Sequence, residues 1–147
     1  MINGDESSDD RDEDETYGYE HITTSADVDV YIASNEVFEG LLREIRELSK
    51  KKPEATMSSG KVKIVNRILE DLLTFLSREP EGKYLDKLGD DTLPQMSDAV
   101  LVMVQFETAL AAFVHRYWKG DYGEYYWITR EYIEKLKTSE EEEGEED

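Results

Sequence analysis

The sequence predicts an all-α protein, a small irregular or orthogonal bundle of about four helices with disordered acidic tails at both ends. Three observations carry this expectation. Apolar residues recur with helical spacing through most of the middle of the chain. One short stretch alternates as a strand does, and no second such stretch exists to pair with it. The charge gathers at the ends: residues 1–20 hold nine acids and one base, residues 138–147 seven acids and no base, and residues 21–137 twenty acids against sixteen bases, within a net charge of −19. The expected division is therefore an acidic tail over 1–20, a helical domain over 21–137 and a second acidic tail over 138–147.

In the first tail, Asp9, Asp10, Asp12, Glu13, Asp14 and Glu15 repel one another and there is almost nothing to bury, so chain entropy dominates. Beyond His21, Val28, Val30 and Ile32 alternate with Asp27, Asp29 and Tyr31, which reads either as a lone edge strand or as a β-branched lead into the first helix. That helix is expected from about Asn35 to Lys51. Phe38, Leu41, Leu42, Ile45 and Leu48 share one face, Ser34 or Asn35 supplies the cap, and Lys50, Lys51 and Lys52 suit the negative end of the helix dipole. Pro53 breaks the pattern, and Ser58 or Ser59 can cap a second helix along Val62, Val65, Ile68, Leu69, Leu72, Leu73 and Leu76, ending near Arg78.

Tyr84, Leu85 and Leu88 form a short apolar turn closed by Gly89, and Thr92-Leu93-Pro94-Gln95 reads as a capping box with proline in the first turn of a third helix. This helix should run to about Trp118; being apolar on most faces, it should be the central and most buried element. Gly120 would end it. Asp121 with Glu124 would cap a fourth helix carrying Tyr125, Ile128, Tyr132 and Leu136 on one side. From Thr138 onward, the like charges of Glu140, Glu141, Glu142 and Glu143 oppose further helix.

The sequence offers little catalytic chemistry. It has no cysteine, which excludes disulfides, thiolate ligands and cysteine nucleophiles, and no phosphate-loop, dinucleotide, nucleophile-elbow or zinc-protease motif. Neither His21 nor His115 has an acid at metal-ligand spacing. Glu107 among apolar neighbours is a candidate acid–base group, with His115 about 80° away around the helix. The plainer account places it on a polar edge or pairs it with Arg67 or Arg116. No catalytic residue, metal ligand or cofactor is assigned, and the chain reads as a non-enzyme.

Ala99 to Trp118 is long enough for a bilayer, but Gln105, Glu107, His115 and Arg116 interrupt it, so a buried helix and no membrane are expected. Acids stand where a leader would need bases, so a cytoplasmic, or in a eukaryote nuclear, protein is expected. Lys50, Lys51, Lys52, Lys61, Lys63 and Arg67 form a basic cluster. The overall charge opposes direct nucleic-acid binding, and an acidic tail of the same chain could shield the cluster. Ser7, Ser8 and Ser139 precede acids, the context an acid-directed kinase reads.

The strongest binding signal is aromatic. Tyr117, Trp118, Tyr122, Tyr125, Tyr126 and Trp127, with Tyr132, exceed what one face of a short helix can bury. The expected function is a non-enzymatic protein-binding or regulatory module. Its acidic tails would engage a basic partner, a nucleic-acid-binding protein being one such, and the aromatic surface or the surface of the first helix would then dock. The alternatives are an assembly subunit whose Val28–Ile32 strand joins a partner's sheet while the tails confer solubility, and a DNA-mimic inhibitor. Homo-oligomerisation is compatible with either.

Overall fold

The computed structural model describes residues 17–146. Asp9, Asp10, Asp12, Glu13, Asp14 and Glu15 of the expected N-terminal tail lie outside the described residues. Among those described, the protein is mostly helical, with four α-helices and a 3₁₀ turn together making up 68%, and it has one small two-stranded sheet. In order these are α1 (Ser25–Lys51), α2 (Ser59–Leu76), a 3₁₀ turn (Pro80–Tyr84), α3 (Met96–Tyr117), β1 (Trp118–Asp121), β2 (Glu124–Trp127) and α4 (Arg130–Glu146). The described residues fall into two compact units, one of 29–114 and one of 17–28 with 115–146.

In the 29–114 unit three helices contribute one apolar stripe each. Phe38, Leu42 and Ile45 of α1, Val62, Val65, Leu69, Leu72 and Phe75 of α2, and Ala99, Met103, Phe106 and Phe113 of α3 are all buried. Rings meet between them, Phe38 with Phe106 at 6.5 Å and Phe75 with Phe113 at 4.8 Å between centroids. Burying such side chains is worth roughly 1.5–3 kcal/mol each, the main driving term of the unit.

Helix α1 begins ten residues before the expected Asn35. The backbone N–H of Asp27 donates to the Thr24 hydroxyl at 3.2 Å, so Thr24 is the cap and Ser34 is a buried mid-helix residue. Val28, Tyr31, Asn35, Phe38, Leu42 and Ile45 form one continuous helical stripe. It outweighs the few tenths of a kcal/mol by which β-branched residues disfavour helix. Residues 28–32 are thus not a strand, and strand addition to a partner's sheet loses its element.

Helix α2 starts as expected, with the Ser58 hydroxyl accepting from the Lys61 N–H at 3.2 Å, and it ends at Leu76, two residues short of Arg78. The capping box at Thr92 does not form. Pro94 offers its carbonyl to the Met57 N–H at 2.8 Å and Met96 donates to the Ala55 carbonyl at 2.9 Å, so this stretch is extended and α3 starts only at Met96. Nor is α3 buried all round: Leu101 is 66% exposed, and Gln105, Thr108 and Ala111 are open. By length and composition α3 could cross a bilayer, yet Met103, Phe106 and Phe113 are fully buried in protein, as in a core helix.

In the other unit the expected start of a fourth helix is a β-hairpin, which adds a small two-stranded sheet to the mostly helical fold. Strand pairing runs Trp118↔Trp127, Lys119↔Tyr126, Gly120↔Tyr125 and Asp121↔Glu124. Tyr122 and Gly123 take positive φ of 52° and 84°, the left-handed pair of a two-residue hairpin turn whose twist matches the strands. Asp121 and Glu124 therefore flank a turn instead of capping a helix, and Tyr125 lies on a strand. Ile128 donates to the Tyr117 carbonyl at 2.8 Å and closes the hairpin's base.

The entering chain lies alongside. Thr23 donates to the Ile128 carbonyl and accepts from the Arg130 N–H, both at 3.0 Å. Thr129 caps α4 by accepting from the Tyr132 N–H at 3.0 Å, and Glu131 accepts the Ser25 N–H at 2.9 Å at the start of α1. Helix α4 continues through Glu146 rather than stopping at Thr138. Glutamate is a good helix former, and repulsion between acids four apart costs only a few tenths of a kcal/mol per pair. Tyr17 donates its hydroxyl to Glu140 in this segment.

Candidate functional site

In an antiparallel pair, residues directly opposite share a face and successive residues alternate. The observed register therefore sorts the hairpin's side chains. One face carries Trp118, Gly120, Tyr125 and Trp127, the other Lys119, Asp121, Glu124 and Tyr126.

On the first face the Trp118 ring stacks on Tyr125 (5.8 Å, 10° between planes) and meets Trp127 at 5.0 Å and 53°. Gly120 makes this possible. A Cβ there would sit 2.6 Å from the Tyr125 ring, so the ring lies over the glycine and leans across the strand towards Trp118. The result is a continuous aromatic slab, with Trp118 38% and Tyr125 67% exposed and Tyr122 at the turn 99% exposed.

The opposite face is occupied from within. Tyr126 stacks on Tyr132 at 4.9 Å, and its hydroxyl lies 3.3 Å from that of Tyr19. The hydrogen bond to Tyr126, with burial and nearby negative charge, pushes the Tyr19 phenol up to about 12. Burial likewise raises Tyr132. Of the six aromatic residues singled out in the sequence, Trp118, Tyr122, Tyr125 and Trp127 thus lie on one face and its turn. Tyr126 belongs to the other face, and Tyr117 is buried.

Sequence reasoning missed Gly120 and Tyr19. The available signal was the Tyr-Gly dipeptide, which occurs twice, at 17–18 and 122–123, with left-handed backbone both times. Acids stand on the hairpin's opposite face: Asp121 and Glu124 face each other beside the turn, and neither makes an ion pair among the described residues. Glu140, Glu141, Glu142 and Glu143 are exposed on α4, and residues 115–146 hold ten acids against five bases. Such a surface attracts cations twice, through carboxylates and through ring faces.

Glu107 pairs with Arg46 at 3.2 Å, both side chains nearly half exposed, and not with Arg67 or Arg116. His115 is exposed, and its carbonyl accepts from the Lys119 ammonium at 3.3 Å. Among the described residues no group of three His, Asp or Glu is placed to hold a metal ion. In comparisons with known proteins the chain matches no family model, and no curated protein or solved structure is significantly similar to it.

Proposed function

We propose that the protein is a binding module that docks a basic segment of a partner protein on the Trp118–Tyr125–Trp127 face, with the acidic ends of the chain drawing the partner in. The observation that carries this reading is the stacked pair of Trp118 and Tyr125 over Gly120, with Trp118 38% and Tyr125 67% exposed. Stacking of the rings steadies the hairpin, and an exposed aromatic face beside polar groups also marks an interaction surface. Tryptophan and tyrosine are the residues most enriched in interface hot spots, and arginine and lysine are the side chains that ring faces and carboxylates together select. The acidic ends supply association rate more than affinity.

Calorimetric titration of the full chain with an arginine-rich peptide tests this. Saturable binding is expected, weakened about tenfold or more by Trp118→Ala with Tyr125→Ala, as for paired hot spots. Binding that survives the double variant unchanged would transfer the role to charge alone and remove the hairpin from the account.

A further inference from the structure

The 29–114 unit holds a surface groove of opposite character. It is a half-open depression of about 390 Å³ between α2 and the segment that follows the 3₁₀ turn, with Lys63, Arg67 and Glu70 on one side and Lys87, Asp90 and Leu93 on the other. Helical spacing sets one wall: Ser59, Lys63, Arg67 and Glu70 fall three or four residues apart, on one side of α2.

The other wall is held rigidly. The Asn66 amide donates to the Leu88 carbonyl and its side-chain oxygen accepts the Leu88 N–H, both at 2.9 Å. Lys87 reaches across to Glu70 at 2.9 Å, so one lysine–carboxylate pair closes the groove at that point. Lys63 and Arg67 make no ion pair or side-chain hydrogen bond among the described residues, although every other polar group of the walls save Ser59 and Asp90 is committed. Val62, 1% exposed, is sealed beneath the groove, and half-buried Leu93 offers the apolar surface.

We infer that this groove binds a small phosphate monoester of sugar size, its phosphoryl group held by Lys63, Arg67 and the Ser59 hydroxyl. Two cations on successive turns match a phosphate dianion, and the guanidinium can take two of its oxygens at once. Asp90 stands on the opposite wall, where it accepts from hydroxyl groups and repels a second anionic charge. That arrangement favours a phosphorylated polyol over a polyphosphate or a nucleic-acid backbone. The carbon skeleton lies on Leu93, and the groove's volume is at the lower end of small-molecule sites.

The test follows backbone amide shifts of the full chain during titration with ribose 5-phosphate, inorganic phosphate, a phosphoserine peptide and, at matched ionic strength, sodium chloride. Saturable shifts confined to residues 59–70 and 87–93 are expected. Ribose 5-phosphate should bind more tightly than inorganic phosphate, and Lys63→Gln with Arg67→Gln should lose about tenfold or more. Both side chains are exposed, so unchanged shifts elsewhere will show that this variant folds, and the charge-conserving Lys63→Arg should retain binding. Three results would overturn the proposal: shifts that chloride reproduces, affinity unaltered in the double variant, or a phosphopeptide bound far more tightly than the sugar phosphate, which would assign the groove to a protein ligand.

Discussion

Tyr122 is the residue whose placement is hardest to explain by folding. Its backbone is left-handed at φ 52°, which costs a tyrosine roughly 1–2 kcal/mol, and its ring, 99% exposed, packs against nothing that would offset this. Asparagine is the usual residue at such a position. Tyr122→Asn should therefore leave stability unchanged or raise it by up to about 1 kcal/mol in urea unfolding while weakening capture of the basic peptide. Loss of stability in this variant would show the ring to be structural.

Tyr19 gives a second residue-scale prediction. Its folded-state value of about 12 stands above the ordinary 10.0, so the folded chain holds this proton more tightly than the unfolded chain does. The associated stability is complete below pH 10 and is lost as pH rises through about 12. Phenolate absorbance should show Tyr19 titrating late in the native protein, with Tyr31 and Tyr132 also raised by burial. Tyr126→Phe, which removes the largest cause, should return Tyr19 towards 10.

Among the elements, α2 was legible almost to its ends because cap, stripe and terminating proline agree locally. The first ten residues of α1 were not. Val28, Val30 and Ile32 satisfy period two, and only burial of Val28 with Phe38 and Leu42 on one stripe selects the helix. The hairpin was misread for a related reason. Asp121 and Glu124 have capping-box spacing, and Tyr-Gly is a weaker turn signal than Asn-Gly, so the aromatic cluster was recognised but not which of its members share a face. That grouping follows from strand register, which a sequence read as helix cannot supply.

Two substitutions test the elements. A Cβ at Gly82 would collide with the Leu76 carbonyl and meet the Ser77 Cα at 2.9 Å, both backbone, where the 3₁₀ turn crosses the end of α2. Gly82→Ala should cost about 1–3 kcal/mol by thermal unfolding, as overpacking does, and a neutral result would mean that the turn is free to move. Thr129→Ala removes the cap of α4 and should cost about 1 kcal/mol, with lost helical signal confined to 130–146.

At the scale of the whole molecule, charge sets the terms. A net charge of −19 concentrated at the ends repels acidic ligands at long range and attracts basic ones, and at physiological salt this reach is only about 8 Å. Electrostatic attraction should thus govern how fast a partner arrives, and the aromatic face how long it stays. The chain has two tryptophans, Trp118 and Trp127, and both lie on that face, so the protein carries its own reporter there. The most direct measurement is tryptophan emission of the full chain during titration with an arginine-rich peptide at low and high salt, beside an uncharged peptide of equal length. A saturable emission change is expected with the arginine-rich peptide alone, weakened by salt and lost in Tyr125→Ala. Emission indifferent to the basic peptide, or answering equally to the uncharged one, would contradict docking on this face.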